Sequence, residues 1–229
     1  MSTCTEAHFL KDTAEHVMEV LRDDGLYRHI RFRKPGTMSM HFDLVTWPGH
    51  LAYSGDMGCY VFTRLADMFE FFRTDRRHKD VEGLAINPSY WSEKLVAVSG
   101  SRESGSAKEF DEDKFKRTIN ELRVGWIREA AREHTLDKEE RRELWEAVDT
   151  DVLSNLYDGG DYAIRAAYEF SWPGSWKTIG RSYPNARWDF TDCVIEGNFT
   201  SYTFCFIWCC YALAWGIKTY DEAKEKAHA

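Results

Sequence analysis

The sequence predicts an α+β protein: an N-terminal helix, an antiparallel meander of about four strands and a mainly helical C-terminal half. Three observations lead there. Between residues 27 and 63, apolar residues alternate with polar ones, and Gly- and Pro-containing turns separate the alternating stretches. Beyond residue 109, apolar residues recur at helical spacing inside heavily charged segments. Near the C-terminus an apolar run has no polar side, which suits a helix covered by the rest of the fold.

Taken in order, residues 5–21 place Phe9, Leu10, Ala14, Val17, Val20 and Leu21 at helical spacing, and Asp23-Asp24-Gly25 supplies a stop, so an amphipathic helix is expected. Residues 27–34 alternate, with Ile30 and Phe32 on one face and His29, Arg31 and Arg33 on the other, and Pro35-Gly36 ends the strand. A second strand over 38–46 sends Met40, Phe42 and Leu44 to one side and His41, Asp43 and Val45 to the other. Two shorter strands follow, over 50–53 and 59–63, joined by Trp47-Pro48-Gly49 and by Gly55-Asp56-Met57-Gly58. The stripe of Leu65, Met68, Phe69 and Phe72 predicts a helix on the apolar face of that sheet.

The charged residues 74–83 and the Ser- and Gly-rich residues 99–108 read as exposed loops. Between them, residues 87–95 read as a turn entering a short helix, with Tyr90, Trp91 and Leu95 available to the core. The second loop divides an α/β-meander region, 1–98, from a helical region, 109–229, expected to pack together as one compact domain. In the helical region Phe115, Ile119, Leu122, Trp126, Ile127 and Ala130 form one stripe, and Leu144, Trp145, Val148 and Val152 form the next within 136–156. Asp158-Gly159-Gly160 breaks the run, 161–170 resumes it, and an aromatic-rich connector runs from Trp172 to Trp188. The apolar helix over 201–220 should be central and pack back on the N-terminal sheet.

A chain of 229 residues can bury a substantial core, and 43% hydrophobic with 15% aromatic content excludes a chain that stays unfolded. The net charge of -8 and a pI near 5.5 argue against coating nucleic acid by bulk electrostatics, so any acidic partner must be met locally. The first residues lack a basic segment followed by an apolar one, which predicts a cytosolic protein. Its six cysteines are scattered rather than spaced as a framework, so free thiols in the core are expected, and no zinc set is completed around Cys205 and Cys209. The strongly apolar stretch 204–217 covers 14 positions. A membrane-spanning helix needs roughly twenty, so no membrane association is expected.

Candidate chemistry concentrates in residues 38–64. His41 and Asp43, two apart on one strand face, are spaced for a carboxylate to orient an imidazole as a general base. Asp43, His50 and Asp56 are residue types that suit a hard divalent metal. Hydrogen bonding within strands and turns is the plainer role for each. The basic strand Arg28, His29, Arg31, Arg33 and Lys34, with Arg64 and Arg73, is a seat for phosphate if it is free, and Tyr27, Trp47 and Tyr53 are placed to stack a base. Its alternative is a solvated face that keeps the sheet soluble. Gly55-Asp56-Met57-Gly58 lacks the spacing of a phosphate loop. Trp145, Trp208 and Trp215 are expected in the core, and Trp172 and Trp176 at an exposed contact. No cofactor is expected.

The stretches Phe42-Asp43-Leu44-Val45-Thr46-Trp47-Pro48-Gly49-His50, Gly55-Asp56-Met57-Gly58, Asp67-Met68-Phe69-Glu70-Phe71-Phe72-Arg73, Ile86-Asn87-Pro88 with Tyr90-Trp91, and Phe206-Ile207-Trp208-Cys209-Cys210-Tyr211-Ala212 with Ala214-Trp215-Gly216-Ile217 resemble a family of accessory proteins carried by bacteriophages and prophages. The resemblance brings no activity, ligand or catalytic residue with it. It implies context: a protein at work in the cytoplasm of an infected bacterium, against host defence or host machinery. The first expectation is therefore a binding protein that inhibits a defence system such as CRISPR-Cas by protein contact. The second is a nucleotide sponge using Arg31, Arg33, Trp47, His50 and Tyr53. The third is a metal-dependent hydrolase or nuclease using His41, Asp43, His50 and Asp56.

Overall fold

The computed structural model describes residues 4–78, 83–99, 107–172 and 188–228. These residues form two compact units, one comprising 1–109 with 202–229 and the other 110–201.

The first unit opens with α1 (Glu6–Asp12), which Thr5 caps by accepting from the His8 backbone N–H. The helix expected over 5–21 stops there. Residues 17–24 instead form the strand β1 (Val17–Asp24), which pairs antiparallel with β2 (Tyr27–Arg33). The expected helix stop, Asp23-Asp24-Gly25, is a hairpin turn. Gly25 sits at φ +61 as the first of the two residues between the paired Asp24 and Tyr27, a conformation that suits glycine and matches the twist of the flanking strands.

β3 (Phe42–Trp47), β4 (His50–Gly55), β5 (Gly58–Thr63) and β6 (Leu95–Val98) complete a six-stranded antiparallel meander in sequence order. The sheet thus gains β1 at one edge and β6 at the other over the expected four. The strand expected from residue 38 starts only at Phe42, because Met40 has a positive φ of 58 that no strand accommodates.

α2 (Met68–His78) and α3 (Pro88–Ser92, capped by Asn87) pack with α1 on one face of the sheet. α8 (Phe204–His228) lies with them. Phe32, Phe42, Leu44, Leu51, Tyr53, Tyr60 and Phe62 from the sheet meet Phe9, Phe69, Trp91, Phe206, Trp208 and Leu213 from the helices, all with no exposed surface. The central helix foreseen near the C-terminus is present, but α8 belongs to the sheet-containing unit and not to a region running from 109 to the end. Half-buried ion pairs join helices to sheet. Arg28 makes two hydrogen bonds to Asp67, at 2.9 and 3.0 Å, and Asp23 accepts from Tyr220 and Lys224.

The chain leaves through β7 (Lys108–Phe110) and returns through β10 (Thr200–Tyr202), and these two strands pair. The second unit contains α4 (Glu112–Arg132), α5 (Lys138–Asp151), α6 (Gly160–Glu169) and α7 (Thr191–Glu196), with a short 3₁₀ segment, Leu153–Asp158, before α6. Asp137 and Glu140 form a capping box at the start of α5. β8 (Ser171–Trp172) pairs with β9 (Trp188–Asp189). The core of this unit is Phe115, Ile119, Leu144, Val148, Ala163, Ala167 and Phe190.

Two tryptophan expectations change. Trp172 is 9% exposed and its ring lies 5.4 Å from that of Trp188, so it is packed and not an open contact. Trp176 lies outside the described residues. Trp145, expected in the core, is 37% exposed and lies under the guanidinium of the buried Arg123. No helix among the described residues is long and apolar enough to cross a membrane.

Candidate functional site

Alternation on β2 to β5 sends one set of side chains into the core and the other to the opposite face of the sheet, and register aligns that second set into rows. Trp47, His50 and Thr63 form one row. Val45, Ala52, Val61 and Ala97 form the next, with His29 opposite Val45. Glu19, Arg31, Asp43, Ser54 and Cys59 form the third. None of Val45, Trp47, Ala52 or Val61 belongs to either core, and all four are partly exposed. The open face is therefore a band of small apolar side chains between an aromatic row and an ion-paired row.

The aromatic row is set by a tight turn. Pro48 and Gly49 connect β3 to β4, with Gly49 at φ +82, the geometry in which a Pro-Gly pair reverses the chain. The turn is pinned by Gly49 N–H to Ala66 C=O at 3.0 Å and by the Thr63 hydroxyl to Gly49 C=O at 2.8 Å. Across it, the rings of Trp47 and His50 stack at 5.0 Å and 8°. Both remain partly exposed.

In the ion-paired row, Asp43 accepts from Arg31 Nε at 2.8 Å and Nη2 at 2.9 Å and meets His29 Nε2 at 2.8 Å. Burial pushes the Asp43 carboxyl up, but the hydrogen bonds from Arg31 and His29 outweigh it and hold the group below the usual carboxylate range. The expected partnership of His41 with Asp43 does not form. The imidazole facing Asp43 comes from the neighbouring strand, because β2–β3 register brings His29 and Arg31 alongside it, whereas His41 lies before β3 begins.

His41 instead meets Asp56. Its Nδ1 lies 2.7 Å from Met38 C=O and 3.1 Å from Asp56 Oδ1, while Asp56 Oδ2 accepts from the Met40 N–H at 2.6 Å. These bonds hold the positive-φ Met40 and tie residues 38–41 to the β4–β5 turn. Gly55 is needed there, since a Cβ would stand 2.2 Å from His41 C=O.

His50 and Asp56 flank opposite ends of β4, roughly 17 Å apart at about 3.4 Å per residue. Asp43, His50 and Asp56 are therefore not one cation site, and no group of three or more His, Cys, Asp or Glu among the described residues is arranged to hold a metal ion.

The nucleotide set is also dispersed. Tyr53 is fully buried, on the core face, and cannot stack a base from solvent. Besides Arg31, Arg33 pairs with Glu19 at 3.4 Å, Lys34 with Glu15 at 2.7 Å, and Arg73 with Glu70 and Asp221. A phosphate would have to displace carboxylates already in place. Sequence reasoning missed the apolar row itself. Its signal was present in the two-residue turns of two successive hairpins, which fix register and so place Val45, Ala52 and Val61 side by side.

No protein-family model, no curated protein and no solved structure matches this chain.

Proposed function

We propose that this chain is an accessory binding protein acting for a phage or prophage in the host cytoplasm, and that it blocks a bacterial defence system of the CRISPR-Cas kind by protein-protein contact. The open face of the six-stranded sheet is the contact surface. What carries the reading is the three-row arrangement: a small-residue apolar band flanked by the Trp47–His50 stack and by the row in which Arg31 pairs with Asp43, with His29 reaching that carboxylate from beside Val45. Interfaces favour such a pattern, with apolar and aromatic groups at the centre and paired charges around them. The motif resemblance supplies the partner class. Arg31 is held at two nitrogens by the largely buried Asp43, which favours a protein partner over a phosphate-bearing ligand at that cation.

The test is to plate a sensitive phage on bacterial strains that each carry one defined defence system, with and without this chain expressed, and then to mix the purified chain with the purified complex of the responding system. Restored plaquing on one strain together with co-elution of chain and complex is the expected result. Restored plaquing without co-elution would overturn contact as the mechanism. Plaquing unchanged on every strain would overturn the defence role.

A further inference from the structure

β1 forms one edge of the six-stranded sheet, so its outer main-chain groups have no strand beside them among the described residues. Seven of its eight residues are exposed. Val17, Val20 and Leu21 are 50%, 47% and 44% exposed, whereas edge strands that stay unpaired in solution are usually charged, short or covered. We propose that β1 pairs antiparallel with β1 of a second copy of this chain, across a two-fold axis normal to the sheet, so that six strands from each copy join into one sheet. This contact is separate from whatever the open face of the sheet binds.

The strand is complementary to itself in one register. Leu21 is the extra residue of a bulge, since Val20 lies opposite Ile30 and Arg22 opposite the adjoining His29. Strict alternation would send Glu19 and Arg22, three residues apart, to opposite faces. The bulge puts both on the open face, opposite Arg31 and His29. A two-fold axis normal to the sheet keeps each face continuous across the join. With that axis between Val20 and Leu21, Glu19 of each copy stands opposite Arg22 of the other, on either side of an apolar centre of Val20 and Leu21. Met18 then opposes Asp23 on the core face and Val17 opposes Asp24 on the open face, and no like charges meet. Moving the axis onto Val20 or onto Leu21 sets open-face side chains against core-face ones beyond the bulge. Within one copy, Glu19 meets Arg33 at 3.4 Å and Arg22 meets Asp24 at 3.2 Å, with all four side chains at least 36% exposed. Surface pairs of this kind contribute little and hold neither charge in place. One eight-residue edge makes a small interface, so association in the micromolar range is expected.

The experiment is sedimentation equilibrium of the full chain over a range of concentrations, with circular dichroism to confirm that each variant is folded. The wild type should rise with concentration from the 26.7 kDa of one chain toward twice that mass. Glu19→Arg sets an arginine against Arg22 at both charge contacts, and Arg22→Glu sets a glutamate against Glu19, so each variant alone should associate at least about tenfold more weakly. Mixed in equal amounts, the two variants regain opposite charges at both contacts, and the mixed dimer should form as tightly as that of the wild type. Leu21→Lys, which puts a charge at the centre of the join, should stay at the mass of one chain. A wild type that remains at one chain's mass at about 300 μM, single reversals that associate like the wild type, or a mixture no tighter than either variant alone would each overturn the proposal. A wild type of one chain's mass whose plaquing protection is lost in Leu21→Lys would overturn the second copy as occupant and give the edge to a strand of another protein.

Discussion

Replacing Tyr53 by Phe should make the protein more stable, and the neighbouring Tyr60 should do the opposite. The two tyrosines are cross-strand partners on β4 and β5, both fully buried, with ring centroids 6.0 Å apart. Their hydroxyls differ. The Tyr53 hydroxyl is buried with no hydrogen-bond partner among the described residues, whereas that of Tyr60 is bonded to Thr203. An unpaired buried hydroxyl costs about 1–3 kcal/mol, so Tyr53→Phe should raise stability by about 1 kcal/mol or more. At about 2–4 °C per kcal/mol for a chain of this size, the melting temperature should climb by at least that much. Tyr60→Phe removes a made bond and strands its partner, which should cost about 1 kcal/mol. Thermal and urea unfolding of the two variants, followed by near-UV circular dichroism, gives both signs in one experiment. A Tyr53→Phe variant that is destabilised as much as Tyr60→Phe would refute the reasoning, because the hydroxyl would then have a partner.

Other consequences follow from the same geometry. Asp23, Asp43 and Asp67 all sit below the usual carboxylate range, each because hydrogen bonds from cations, tyrosine or backbone outweigh the upward push of burial. A carboxyl held lower in the folded state contributes stability above its unfolded value of about 3.9 and loses that contribution as pH falls through the folded value. Urea midpoints should therefore drop below about pH 4 and respond little between pH 6 and 8, and an acid limb unchanged in Asp43→Asn would count against Asp43 as a contributor. Gly55→Ala would place a Cβ 2.2 Å from His41 C=O and 2.9 Å from Phe42 Cα, both main-chain atoms. The chain must shift, at a cost of about 1–3 kcal/mol, and a denaturant midpoint equal to the wild type would contradict this. Cys209 and Cys210 have no exposed surface, and burial pushes both thiols well above their ordinary range. In a thiol-reagent assay at pH 8 they should label only after unfolding, and mass spectrometry showing either one modified in the native protein would contradict their placement.

The sequence carried much of the sheet and little of the pairing within it. Strict alternation and two glycine-bearing turns made β2 to β5 legible, and the all-round apolar character of residues 204–217 placed α8 against the sheet. β1 was misread because Val17, Val20 and Leu21 satisfy helical spacing with Phe9 and Leu10. What decides against a helix is the Gly25 hairpin and the pairing of β1 with β2, neither visible in a window of helical length. β6 is four apolar residues, Leu95 to Val98, too short for periodicity to separate strand from helix.

At the candidate site, face was predictable and partner was not. Asp43 points to the expected side, yet its imidazole comes from His29 on β2, since cross-strand register depends on both turns and on where each strand begins. Tyr53 alternates onto the core face with Leu51. That follows from counting along β4 from His50, the cross-strand partner of Trp47, whereas the residue type of Tyr53 by itself suggests stacking.

The claim at the centre of this account is that the apolar row on the open sheet face meets a partner. Ala52 lies in the middle of that row, partly exposed and outside both cores. The most direct measurement is the plaquing protection conferred by Ala52→Glu, made together with its melting temperature. A charge at a partly exposed strand position should change stability by no more than about 0.5 kcal/mol, whereas the same charge buried unpaired in an interface costs several. The account predicts an unchanged melting temperature with protection lost. Protection equal to that of the wild type, at an unchanged melting temperature, would contradict it.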